Sequence, residues 1–280
     1  MQLALLTTVT MIAFAANSVF ARLALGEGAI DPATYSFVRL GSGAIMLGIL
    51  VFGSGIANAV RSHGSWSSAA ALFVYAAGFS FAYLALDTGM GALILFACVQ
   101  ATMIGWSVIK GDRPSVMEWF GLIVAFAAFV GLVSPGVTAP DPLGTVLMIA
   151  AGIAWGVYSL RGKNSQQPLQ ATAGNFLLSV PMALVLYLIF FADVTTSLYG
   201  LLLACASGAG TSALGYALWY WCLRGLTATK AAVVQLTVPA IATLGGIVFS
   251  GENLTLRLAL FSVLILGGVA ITILAKSRRQ

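Results

Sequence analysis

Apolar runs of about 20 residues, the length that crosses a bilayer as a helix, recur along the chain with short polar breaks between them. They fall at 3–24, 32–54, 66–86, 89–109, 115–133, 143–160, 169–191, 197–222, 227–250 and 254–275. The breaks carry turn residues: Asp31-Pro32, Gly111 to Pro114, Ser134-Pro135-Gly136, Pro140-Asp141-Pro142, Gln167-Pro168 and Gly251-Glu252-Asn253. Connections this short make neighbouring helices antiparallel. The pattern predicts an all-α integral membrane protein with ten transmembrane helices and no soluble domain.

Composition agrees with that pattern. Of 280 residues, 60% are hydrophobic and 8% charged, against roughly 25% charged in soluble domains. So few charges cannot cover a water-facing surface of this size, and lipid is the expected solvent. The net charge of +5 forms no basic stripe, so nucleic acid is not an expected partner. Cys98, Cys205 and Cys222 lie inside apolar runs at spacings that fit neither a disulfide framework nor a metal site. No metal or other cofactor is expected. The run starting near Leu3 is followed by further spans and lacks a small-residue cleavage pattern, so it reads as a span and not a signal peptide.

Basic residues set the orientation. With the N-terminus inside, Arg61, Lys110, Arg113, Arg161, Lys163, Arg224, Lys230, Lys276, Arg278 and Arg279 fall on the cytoplasmic side. Arg22 and Arg257 fall outside, and Arg39 lies within a span. Both termini are therefore expected in the cytoplasm, with the chain in the inner (plasma) membrane.

The chain also repeats. Tyr83-Leu-Ala-Leu86, Gln100 and Gly111-Asp112 follow one another as do Tyr220-Trp-Cys-Leu223, Gln235 and Gly251-Glu252. An odd number of helices per half makes the second half enter the membrane from the opposite side. This is the inverted-repeat plan of many secondary transporters, with the site between the halves.

The run Gly215-Tyr-Ala-Leu-Trp-Tyr220 to Leu226-Thr-Ala, then Pro239, then Gly251-Glu252, resembles the second EamA repeat of the drug/metabolite transporter superfamily. Ala154-Trp155-Gly156 resembles the start of that repeat, and Asp31-Pro32 through Arg39 resembles helix 2 of the first. The resemblance implies two five-helix repeats, 1–135 and 142–276, and a cavity built from helices 1, 3, 4, 6, 8 and 9. It implies export of amino acids and other small metabolites, and the rings and amides look most like those of aromatic amino-acid exporters. Members often carry a Trp near the middle of helix 1, where this chain has Ala16 and Asn17.

Polar groups inside spans are costly in lipid, so they face a cavity or another helix. Asn17, Gln100 and Gln235 offer amides suited to a zwitterion, and Ser159 a hydroxyl; interhelical hydrogen bonding explains the same residues. Pro239, four residues after Gln235, would loosen helix 9 and serve as a hinge. Tyr75, Phe79 and Tyr83 recur every four residues on one stripe of helix 3, as Tyr216 and Tyr220 do on helix 8, while Trp155 and Tyr158 cluster on helix 6. Such rings can line a pocket for flat or apolar side chains, or simply pack as core. The expected substrate contacts are Asn17, Phe79, Tyr83, Gln100, Trp155, Tyr158, Ser159, Tyr220 and Gln235. Trp219 and Trp221 read as interfacial anchors. For Arg39, a carboxylate clamp and a pairing with backbone carbonyls are both open. The second is favoured because helix 2 looks peripheral in the family.

All eight Asp and Glu fall in or next to turns. Proton-coupled carriers usually keep a titratable group within the membrane, so downhill or weakly coupled export is expected, with proton antiport of other metabolites or drugs the alternative. An enzyme would need a nucleophile, an acid–base pair or a metal cluster, and none is spaced for the task. A channel would need a polar stripe or charged ring. The expectation is a monomeric exporter of small molecules working by alternating access, with lipid as its only other partner.

Overall fold

A computed structural model describes residues 2–54, 56, 59–111, 113–136, 139–162, 165–223 and 234–277. Besides short helical turns at Phe52–Ser54, Ala59–His63 and Phe191–Asp193, they form ten longer helical segments: α1 Gln2–Gly26, α2 Pro32–Leu50, α3 Trp66–Ala82, α4 Thr88–Ile109, α5 Val116–Val133, α6 Pro142–Gly162, α7 Pro168–Ile189, α8, α9 Thr237–Ser250 and α10 Leu256–Ser277. Helix α8 runs as three consecutive stretches, Leu198–Cys205, Ala206–Leu214 and Gly215–Leu223, the middle one wound as a π-helix. Eight of these segments are long and apolar enough to cross a membrane. Helices α3 and α9, of 17 and 14 described residues, are shorter. Helix α3 stops at Ala82, before the predicted limit of 86, because Tyr83 to Leu86 fold into turns bonded back to Phe79, Phe81 and Ala82.

The turn residues act as caps. Asp31 accepts the Thr34 N–H at 2.8 Å, with Pro32 as the first helical residue of α2. Asp141 accepts the Gly144 N–H at 2.6 Å and precedes Pro142 in the same way. Each carboxylate satisfies an otherwise unpaired amide at the positive end of its helix, and proline costs nothing at that position because its missing N–H has no helical partner. At the other kind of end, Arg257 donates from Nε to the Leu132 carbonyl at 3.0 Å and from Nη2 to the Gly131 and Ser134 carbonyls, closing the C-terminus of α5.

The principal packed pairs are α5 with α10, α2 with α7, α4 with α9, α3 and α4 with α6, α1 with α8 and α9, α2 with α8, and α3 with α7. Small residues set the closest approaches. A Cβ on Gly121 of α5 would stand 2.5 Å from the Gly268 carbonyl oxygen of α10, and one on Gly268 would stand 2.6 Å from the Gly121 carbonyl oxygen. Glycine at both positions lets these backbones touch, the usual device of helix pairs in lipid. Many large apolar side chains are left exposed within the helices, among them Ile45, Ile49, Ile123, Phe126, Val185, Leu188, Val248 and Val263, which is a lipid-facing surface. One continuous core joins residues from all ten helices.

Candidate functional site

Helices α1, α3, α4, α6 and α8 enclose a cavity lined by Phe14, Asn17 and Ser18, by Tyr75 and Phe79, by Leu95 and Phe96, by Trp155, and by Thr211 and Tyr216. Spacings of three to five residues bring Phe14 with Asn17 and Ser18, Tyr75 with Phe79, and Thr211 with Tyr216 to one side of their helices. The space open to the centre of a water molecule is about 20 Å³, enough for a single water. A solute enters only when the helices part.

Rings form most of the wall. Trp155 lies 4.8 Å from both Tyr75 and Tyr216, centroid to centroid, and Tyr158 stacks behind it at 5.4 Å. Phe14 meets Tyr216 edge-on at 5.8 Å and Trp219 at 5.9 Å. Trp219 is therefore a buried packing residue, and the expectation of an interfacial anchor is corrected at that position; Trp221 is 46% exposed.

The polar part of the wall centres on Asn17. Its Oδ1 accepts from the hydroxyls of Ser207 and Thr211, the latter at 3.2 Å, and its Nδ2 donates to the Tyr75 hydroxyl at 3.3 Å. Ser207 and Thr211 belong to the π-helical stretch of α8, as does Ser212. Widening the helix turns these hydroxyls toward α1 and α2, and π segments of this kind are frequent at functional sites. Three hydroxyl residues in an otherwise small and apolar segment were the available signal, and the sequence reading passed over them.

Arg39 completes the group. It is 1% exposed. Nη2 donates to the Tyr75 hydroxyl at 2.7 Å and Nε to Ser212 Oγ at 3.2 Å. The guanidinium carbon stands 4.7 Å from the Phe79 ring centroid and 5.0 Å from that of Tyr75, the geometry of a cation over aromatic faces. Its partners are side-chain hydroxyls and rings, where backbone carbonyls were expected. Helix α2, expected at the periphery, puts this residue directly behind two lining rings.

The other predicted residues fall in several places. Asn17, Phe79 and Trp155 line the cavity. Tyr83, Gln100 and Ser159 lie one helical turn beyond Phe79, Phe96 and Trp155, outside the lining. Gln100 is buried with its Nε2 unpartnered. The Tyr83 hydroxyl donates to the Thr88 carbonyl at 3.3 Å. Gln235 is buried and, like Leu236 and Pro239, is no lining residue. Pro239 stands in the first turn of the described α9. The side chain of Tyr220, and Arg224 and Lys230, lie outside the described residues.

A second polar cluster joins helix ends at one side of the bundle. Glu252 accepts the Thr88 N–H at 2.8 and 3.0 Å and the Thr88 hydroxyl at 2.8 Å, capping α4 from the α9–α10 turn. Arg22 bridges Glu252 at 3.3 Å and Asp87 at 3.4 Å and donates to the Tyr83 carbonyl at 3.4 Å. The cluster ties α1, α3 and α4 to the turn that follows α9. On the same side, the α1–α2 and α7–α8 turns are linked by the Asp31 N–H to the Thr195 carbonyl and the Ser197 N–H to the Ala29 carbonyl, each at 2.8 Å.

Residues 142–274, from the start of α6 to within α10, match the model of the EamA-like transporter family. The chain is 43% identical over 267 residues to an uncharacterized protein of Pseudomonas aeruginosa, PA1977, covering 95% of this chain and 93% of that one. The chain belongs to the EamA-like transporter family. It is thereby a membrane transporter of the drug/metabolite transporter superfamily, with a small molecule as its substrate. An uncharacterized transporter of Archaeoglobus fulgidus is 26% identical to this EamA-like chain over 287 residues, with 96% of each covered. The uncharacterized inner membrane transporter YedA of Escherichia coli K12 is 23% identical over 181 residues, 61% of this chain and 56% of YedA. A solved crystal structure superposes with a TM-score of 0.67 at 20% identity, over 98% of this chain and 99% of that one, a likeness of fold.

Proposed function

We propose that this EamA-like transporter exports aromatic and apolar amino acids and related small metabolites across the inner membrane. It does so by alternating access between two inverted five-helix repeats, 1–135 and 142–276, with both termini in the cytoplasm. The observation that carries the reading is the cavity itself. It is enclosed by helices from both halves, walled by Phe14, Tyr75, Phe79, Phe96, Trp155 and Tyr216, and supplied with an amide and hydroxyls at Asn17, Ser18 and Thr211. Flat faces suit a ring or branched side chain, and the polar patch suits its head group.

Helix packing supports the repeat. Adding five to each helix number of the first half, and subtracting five in the second, exchanges the pair α3/α6 with α8/α1, α4/α6 with α9/α1, and α2/α8 with α7/α3. The pairs α5/α10, α2/α7 and α4/α9 go into themselves. A two-fold relation between halves has this signature, and it is the plan on which one half rocks against the other. The Arg22–Asp87–Glu252 cluster is then the closed gate on the outer side. Acids at helix ends, with none among the lining residues, favour facilitated or weakly coupled transport over tight proton antiport.

The test is uptake of radiolabelled L-phenylalanine into proteoliposomes, challenged by a panel of amino acids with and without a pH gradient. Competition by aromatic and large apolar members, without a required gradient, is expected. Competition only by polar or cationic solutes overturns the substrate class, and an obligatory gradient overturns the coupling.

A further inference from the structure

Arg39 is a buried cation with no anion beside it among the described residues, and its Nη1 is buried without a hydrogen-bond partner. A guanidinium offers five N–H donors in a planar fork, and in this structure two nitrogens each serve one neutral hydroxyl. Taking an ion out of water costs several kcal/mol unless an opposite charge and a full set of hydrogen bonds compensate it. Aromatic faces and two hydroxyls compensate only in part. The residue is also held closely: a Cβ on Gly208 of the π stretch would collide with the Arg39 carbonyl oxygen, so only glycine lets α8 sit against α2 at this level.

The cavity shares two residues with this cation. Tyr75 and Phe79, whose rings carry the guanidinium, also line the cavity. The Tyr75 hydroxyl is the shared point, accepting from Arg39 at 2.7 Å and from Asn17 at 3.3 Å. The cavity wall has donors and a nearby positive charge but no carboxylate to meet an ammonium. Its amide oxygen, Asn17 Oδ1, already accepts two hydroxyls.

We propose that Arg39 is the anion-recognition residue of the transport site, and that the solute's carboxylate is the group it awaits. The carboxylate accepts from the free Nη1 and from the Tyr75–Asn17 edge when the cavity opens, giving the buried cation its missing counter-charge. A carboxylate on an apolar body is required, and an ammonium is dispensable. Organic monocarboxylates without an amino group are therefore ligands alongside amino acids. This deepens the proposed transport site and rests on that reading.

Binding to the full-length chain in lipid nanodiscs, measured by calorimetry, tests it with matched probes. 3-Phenylpropanoate, 3-phenylpropanamide and phenethylamine share a ring and differ in head group; hexanoate and hexanamide repeat the acid–amide comparison without a ring. Expected is an acid at least tenfold tighter than its amide in both series, with phenethylamine as weak as the amide or weaker. Arg39→Gln should bring acid and amide together, and Arg39→Lys should keep part of the preference, since it keeps the charge without the fork. An acid no tighter than its amide in the unaltered chain overturns the proposal, which makes the test independent of whether Arg39→Gln folds. A preference that survives in folded Arg39→Gln overturns it as well. The ring comparison is separate. Hexanoate bound as tightly as 3-phenylpropanoate counts against the aromatic reading and leaves the role of Arg39 standing on its acid–amide ratio.

Discussion

The substitution Glu252→Gln isolates the proposed outer gate. The Glu252 side chain is 10% exposed, and that of its partner Arg22 is 23% exposed. Glutamine keeps the shape and one acceptor oxygen but removes the charge. A hydrogen bond to a charged group contributes about 1.5–3 kcal/mol against about 1 for a neutral one, so the two bonds from Thr88 lose about 1 kcal/mol each. The partly exposed pair with Arg22 adds at most about 1 kcal/mol after screening by solvent. If these contacts exist only while the outer side is closed, the closed state loses about 2–3 kcal/mol, and the open population rises roughly 30- to 150-fold at about 1.4 kcal/mol per tenfold. The assay places a cysteine at Ser18, a lining residue that is 1% exposed, in a chain with Cys98, Cys205 and Cys222 replaced. A membrane-impermeant thiol reagent is added from the side opposite the termini. Labelling should accelerate at least tenfold in Glu252→Gln. An unchanged rate in folded protein would refute the gate.

Three further outcomes follow from the same geometry. Asn17→Asp puts an anion one tyrosine hydroxyl away from Arg39, so binding of carboxylate solutes should weaken at least tenfold while amide analogues are little affected, as read by calorimetry. Gly121→Val forces α5 from α10, where the Gly268 oxygen and Thr272 Oγ1 each stand 2.5 Å from the new Cβ. Overpacking of this kind costs about 1–3 kcal/mol, so the melting temperature should fall, while protein that remains folded keeps its transport because this pair stands apart from the cavity. Gln235→Ala should leave counterflow little changed, because Gln235 is buried but lines no part of the cavity; a large loss in folded protein would return it to the transport path.

The ten helical segments were legible because lipid leaves one simple rule, a run of about 20 apolar residues, and because Asp31-Pro32 and Pro140-Asp141-Pro142 announce helix starts by local chemistry. Which side of a helix faces the centre was partly legible. Tyr75 and Phe79, or Trp155 and Tyr158, share a stripe, but periodicity does not say where along the stripe a cavity opens. Hence Tyr83, Gln100 and Ser159 lie a single turn past the lining. What could not be read were contacts made across the fold. Arg39 reaches Ser212, 173 positions away, and Glu252 caps Thr88, 164 positions away. Neither pairing leaves a trace in local spacing. The π-helical winding of Ala206–Leu214 is likewise a tertiary outcome. Its small residues permit it, and the bonds from Ser207 and Thr211 to Asn17 hold it.

Counterflow in proteoliposomes, with the unaltered chain beside Trp155→Ala, tests most directly that this ring-walled cavity is the path of transport. Trp155 touches the rings of Tyr75, Tyr158 and Tyr216 and none of Arg22, Asp87 and Glu252 is among these ring contacts, so its removal empties the wall without touching the polar cluster at the helix ends. The expected result is saturable counterflow of L-phenylalanine by the unaltered chain, without an imposed pH gradient, and at least a tenfold loss in folded Trp155→Ala. Saturable counterflow that is equally fast without the Trp155 ring would contradict the assignment of the site.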